Sequence, residues 1–159
     1  MDENSRSLGL KWHEFMIYFV LFAGAVLTSI EAANFFQGRI YGEMRDMVYQ
    51  VFPYMRLIDV SYAVFLAVMA VYRIYTRNEL AGFKKGAPKK LLKLYAAAAV
   101  APLLYLGASV TATGTFDLLT QPDNAEVIIG RTLGNFIREV VMLLINKKYY
   151  DNRRELFVN

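Results

Sequence analysis

The sequence predicts an all-α integral membrane bundle of four transmembrane helices, with both termini in the cytoplasm. Three observations predict it. The 159-residue chain is 56% hydrophobic, where soluble domains run at roughly 45–50%, and its mean hydropathy is +0.28. A soluble chain of this size leaves about a third of its unfolded surface exposed, too much to hide that apolar content in one core. Four stretches approach the length of about 20 mostly apolar residues that a membrane helix needs. The basic residues gather on alternate connections, as cytoplasmic loops require. One membrane domain over 1–159 follows, with spans of about 12–36, 53–75, 91–116 and 127–147.

The first span runs without a charge from Phe15 to Ile30 and continues to Phe36 past Glu31. Its flank carries Asp2 and Glu3, and its apolar run is long, so it reads as a retained helix and not a cleaved signal peptide. Trp12 and Tyr18 fall where an interfacial aromatic belt places them. After it, Ile40, Met44, Met47, Val48 and Val51 recur at helical spacing. They predict a short interfacial helix leading into Pro53, a residue that suits the first helical position. The second span carries Arg56 and Asp59 near its start. The third has no charge from Leu94 to Phe116, and Pro102 should kink it. The fourth is the least apolar, since it holds Arg131, Arg138 and Glu139; the unbroken run Val140 to Ile145 argues for a span over a soluble amphipathic helix.

Orientation follows from the bases. The second connection carries Arg73, Arg77, Lys84, Lys85, Lys89, Lys90 and Lys93, and the tail carries Lys147, Lys148, Arg153 and Arg154. The first connection balances Arg39 and Arg45 with Glu43 and Asp46, and the third holds only Asp117, Asp123 and Glu126 before Arg131. The net charge of +4 is therefore mainly a topology signal. No groove-reading module accompanies it, so nucleic acid is not an expected partner. Lys84, Lys85, Lys89 and Lys90 are candidates for contact with anionic lipid headgroups. The ending Leu156, Phe157 and Val158 suits either an amphipathic foot on the inner leaflet or a plain helix end.

Small residues mark seams between membrane helices. Gly24 with Thr28 and Gly130 with Gly134 are the candidate packing pairs, the second of which could instead face another protomer. Ionisable groups inside a span are costly and normally face the bundle interior, a partner or water. Glu31, Arg56, Asp59, Arg131, Asn135, Arg138 and Glu139 form the candidate intramembrane polar cluster. Arg131, Asn135 and Arg138 share one helical face, and Arg56 and Asp59 are three apart, close enough to pair. These groups predict a polar pocket lined by the first, second and fourth spans and open outward. Either Glu31, Asp59 and Glu139 neutralise the arginines as a structural network, or one arginine is left for an anion.

Enzymatic chemistry is not expected. There is no cysteine, and His13 is the single histidine, placed at the cytoplasmic rim where it reads as solvated. No nucleophile elbow and no phosphate loop occur. No metal site and no cofactor are expected.

The segments Tyr18 to Ala25, Val48 to Pro53, Tyr75-Thr76-Arg77 with Leu80-Ala81, and Asn146 to Phe157 resemble a group of uncharacterised bacterial four-helix membrane proteins. Members of that group often carry a zinc ribbon ahead of the first helix; this chain has no cysteine to build one. The resemblance covers most of the chain from about Leu10 onward and implies a multi-pass protein of the bacterial inner membrane. It implies no activity, substrate or catalytic residue. The leading expectation is a non-enzymatic subunit that packs with itself or with another membrane protein. Two alternatives are an ion or anion channel or transporter subunit, and an outward-facing pocket for a lipid headgroup or small anion.

Overall fold

A computed structural model of the chain describes residues 10–114 and 122–157, apart from the side chains of 122–129 and 131. Asp2, Glu3, Thr115, Phe116, Asp117, Val158 and the side chains of Asp123, Glu126 and Arg131 lie outside the described residues. Helix α1 occupies residues 10–37. Its first third contains a wide π turn, Met16–Val20. Such a turn disturbs the carbonyl ladder and leaves an oxygen open to another donor. Arg77 supplies it, donating from Nε to the Ile17 carbonyl at 3.0 Å.

Helix α1 stops at Gly38, whose φ of +69° is the left-handed conformation that glycine adopts without a Cβ penalty. A Cβ there would also lie 2.6 Å from the Tyr49 hydroxyl. A 3₁₀ segment, Arg39–Met44, and helix α2, Arg45–Val51, follow. The expected short helix before Pro53 is present, and Ile40, Met44, Met47 and Val51 are exposed along this connection. Pro53 then opens helix α3, Pro53–Ala81. Helix α4, Ala87–Thr113, runs through Pro102, and helix α5 is Pro122–Asp151. A 3₁₀ turn, Arg154–Leu156, closes the described chain. No strand occurs among the described residues.

Helices α3, α4 and α5 have 29, 27 and 30 residues. At about 1.5 Å per residue each is longer than the roughly 30 Å apolar layer of a bilayer. The helical runs Leu10–Val51, Pro53–Ala81 and Ala87–Thr113 are long and apolar enough to cross a membrane. The chain is thus an all-helical, multi-pass membrane protein. Tyr18, Leu27, Tyr54, Leu57, Val71 and Leu104 point outward along these helices, as lipid-facing positions do.

Packing runs in a chain: α1 lies along α3, α3 on α4, and α4 on α5. The buried core gathers at the end that carries the α3–α4 turn, with Met16, Ile17, Leu21, Leu80, Leu91 and Leu94 at its centre. We call this the basic end, since Lys84, Lys85, Lys147 and Lys148 lie there. At this end α1 and α5 are pinned together. Trp12 Nε1 donates to Asn146 Oδ1 at 3.1 Å, and Asn146 donates to the Met142 carbonyl at 2.7 Å. His13 Nδ1 and the Tyr150 hydroxyl share a hydrogen bond of 3.1 Å. Burial pushes the Tyr150 hydroxyl well above its ordinary range, so it stays protonated.

Two expectations are corrected here. His13 is not solvated; it is buried, stacked on Phe83 at 4.8 Å, with Phe157 edge-on at 5.9 Å. Phe157 is buried in that aromatic cluster, because the 3₁₀ turn bends the tail back over Phe83 and Tyr150, so Phe157 itself is not available to an apolar foot, while Leu156 stays exposed.

Candidate functional site

Away from the basic end, α1 and α5 line a cavity of about 630 Å³, with α3 and α4 forming its other walls. This cleft is lined from α1 by Thr28, Glu31 and Phe35, and from α3 by Tyr62, Phe65, Leu66 and Arg73. Helix α4 adds Ala98, Ala101, Pro102 and Tyr105; helix α5 adds Thr132, Asn135, Arg138 and Glu139. The cleft thus takes in the third span beside the first, second and fourth, and Arg56 and Asp59 are not among the residues that line it. The proline contributes to it directly, as a small apolar surface beside Ala101.

The structure gathers Glu31, Asn135, Arg138 and Glu139 around this cleft. Arg138 donates from Nε and Nη2 to one oxygen of Glu139, at 3.2 and 2.8 Å. The glutamate is buried while most of the arginine side chain is exposed. Glu31 also has interactions of its own.

Arg56 and Asp59 do not pair, which corrects the expected contact within α3. Asp59 is 0% exposed and faces three phenols. Tyr105 donates to Oδ1 at 2.8 Å, Tyr41 to Oδ1 at 3.3 Å, and Tyr49 to Oδ2 at 3.0 Å. Among the described residues no cation lies within ion-pair distance of this carboxylate. Arg56 turns the other way, to the end of α1, where the last carbonyls lack helical partners. It donates to the Phe36 carbonyl at 2.8 Å and lies over the Tyr49 ring at 5.4 Å. Asp59 thus fastens the 39–51 connection to α3 and α4 at the end opposite the basic one.

The packing glycines separate. Gly24 meets no small-residue seam: a Cβ on it would lie 3.0 Å from Nη1 of Arg73. Thr28 lines the cleft. Among the described residues, Gly130 and Gly134 have nothing within 4 Å of where a Cβ would stand. Among the four candidate lipid-contact lysines, Lys84, Lys85 and Lys89 are exposed. Lys90 is not available in the same way, because Glu79 holds it at 2.6 Å and it donates to the Tyr75 hydroxyl at 2.8 Å.

The sequence groups Arg73 with the bases of the second connection. The structure puts it inside α3, two turns before the helix ends, with its guanidinium against Gly24 and in the cleft wall. Its Nε is buried with no hydrogen-bond partner, and among the described residues no carboxylate lies within ion-pair distance. A signal for it exists in the sequence: Tyr62, Leu66, Met69 and Arg73 follow spacings of 4, 3 and 4, one helical stripe. Tyr41, Tyr49 and Tyr105 carry no comparable signal, since their meeting on Asp59 depends on the turn at Gly38.

No metal-binding group of three or more His, Cys, Asp or Glu occurs among the described residues. Comparison with protein-family models, with curated proteins and with solved structures gave no match.

Proposed function

We propose that this chain is a non-enzymatic protein of the bacterial inner membrane that receives an amphiphilic ligand in the cleft between α1 and α5. In this reading all four long helices span, and both termini and the basic end face the cytoplasm. The length of α5 and its packing along α4 support its counting as a span despite Arg138 and Glu139. The lysines of the α3–α4 turn and of the end of α5 support the orientation. The observation that carries the binding reading is the cleft itself. Its volume of about 630 Å³ falls in the roughly 300–1,000 Å³ range of ligand pockets. Phe35, Phe65, Leu66 and Leu106 offer an apolar body to it, and Arg73, Asn135, Arg138 and Glu139 offer polar contacts. Because α1 and α5 stand at the two ends of the packing order, the opening between them faces the bilayer, from which an amphiphile can enter.

The test is native mass spectrometry of the full chain released from mild detergent. Retained amphiphile is expected on the wild type and lost in Ala101→Trp, which fills the cleft. A wild type that retains nothing and takes up no added amphiphile would refute the reading.

A second reading, a subunit that packs with itself or a partner, is favoured by the open space around Gly130 and Gly134 on α5. Gly134→Leu should then dissociate an assembly that wild-type protein forms in mild detergent.

A further inference from the structure

We propose that the cleft takes an amphiphile with a single carboxylate head, a long-chain carboxylic acid, anchored on Arg73. The inference rests on the cleft reading and adds the chemistry of the head.

The guanidinium of Arg73 stands against Gly24. Gly24 lies close to the middle of α1, about 20 Å from either end of that helix. A cation at such a depth is costly unless an anion accompanies it. The carboxylates nearby are committed elsewhere. Glu139 receives both hydrogen bonds of Arg138. Asp59 is enclosed by tyrosines. Glu31 stands seven residues beyond Gly24, about 10 Å further along α1, and has interactions of its own.

Tyr95 of α4 is a second buried group whose hydroxyl has no partner, although it is not among the residues that line the cleft. Buried donors in native structures are nearly always satisfied, so the unpaired Arg73 Nε marks a missing acceptor. Arg73 lines the cavity, which makes a ligand there the natural source.

One unpaired guanidinium balances one negative charge. Its fork of N–H donors matches the two coplanar oxygens of a carboxylate. Glu139, which lines the same cleft from α5, disfavours a dianion. Depth points the same way: a phospholipid head stays at the interface with its glycerol, whereas a single-chain acid can enter the cleft whole.

The experiment measures equilibrium binding of radiolabelled palmitate and of hexadecanol to the full chain in neutral detergent. Wild type should bind palmitate saturably and more tightly than the alcohol. Arg73→Gln should weaken palmitate by about tenfold or more, as loss of a charge-assisted bond does, and leave hexadecanol within about twofold. Gly24→Val keeps the charge but displaces the guanidinium, and should also weaken palmitate selectively; it decides the matter if Arg73→Gln does not fold. Equal binding of acid and alcohol, or equal loss of both in Arg73→Gln, overturns the carboxylate anchor. Displacement of palmitate by phosphatidylglycerol at lower concentration than by unlabelled palmitate overturns it in favour of a phosphate head. Failure of the cleft reading looks different: Ala101→Trp would then bind both probes like wild type.

Discussion

The Tyr105 hydroxyl lies 2.8 Å from Oδ1 of Asp59, joining α4 to α3 at a carboxylate that has no cation within ion-pair distance among the described residues. Tyr41 and Tyr49 complete its shell from the connection after α1. A hydrogen bond to a charged group contributes about 1.5–3 kcal/mol, and leaving a buried charge short of donors costs at least as much. Tyr105→Phe should therefore lower stability by about 1.5–3 kcal/mol, measured by thermal unfolding in detergent. Asp59→Leu should lower it more, because three part-buried hydroxyls lose their common acceptor. It should also make the 39–51 connection open to protease. A Tyr105→Phe variant as stable as wild type would show that the donor is dispensable.

At the basic end, Phe83 occupies the left-handed position of the α3 C-terminal turn, with φ +50°. Its amide donates to Leu80 O and the Lys84 amide to Glu79 O, both at 3.0 Å, the bonding pattern in which glycine normally takes that place. The strain is about 1–2 kcal/mol for a residue with a Cβ. Stacking on His13 and contact with Phe157 at 5.6 Å hold the ring there. Phe83→Ala keeps the strain and loses the ring; Phe83→Gly loses both. The glycine variant should therefore be the more stable of the two by about 1 kcal/mol, with both below wild type. The reverse order in thermal unfolding would mean that the turn is not strained.

The two sites differ in how far the sequence exposes them. The helices are legible because long apolar runs and Pro53 act locally. The location of Arg138 and Glu139 in one wall is legible because helical period fixes the face. Arg73 is misread because a base near other bases looks like part of a loop, while helix α3 in fact continues to Ala81. The Arg56–Asp59 pair fails for a related reason. Spacing shows that two groups can meet, but the free carbonyl of Phe36 and the phenols of Tyr41, Tyr49 and Tyr105 come from elsewhere in the chain and win.

Trp12 is the single tryptophan, so its emission reports on the pin between α1 and α5. Asn146 is completely buried and bridges Trp12 to the Met142 carbonyl. Asn146→Ala removes the acceptor and opens a gap beside the indole. Stability should fall by about 1–3 kcal/mol, the cost of leaving a buried donor unpaired. Emission should shift to longer wavelength as water reaches the ring. An unchanged spectrum would show that the indole does not depend on this bond.

Two glycines with opposite surroundings give the last contrast. Gly38 is left-handed and crowded: a Cβ would meet the Tyr49 hydroxyl at 2.6 Å and Arg45 Cδ at 2.8 Å. Gly134 is helical, with nothing within 4 Å. Gly38→Ala should cost about 1–2 kcal/mol for the backbone alone. It should cost more because Tyr49 cannot yield without lengthening its 3.0 Å bond to Asp59. Adding Tyr49→Phe to Gly38→Ala should therefore be less damaging than the sum of the two changes, since the displaced hydroxyl is already gone. Gly134→Ala should instead leave the monomer as stable as wild type or raise it by up to about 1 kcal/mol, the helix-propensity gain of alanine over glycine. Thermal unfolding of wild type, Gly38→Ala, Tyr49→Phe, their double variant and Gly134→Ala in one detergent checks both halves. Full additivity of the Gly38 and Tyr49 changes would separate the turn from the Asp59 shell.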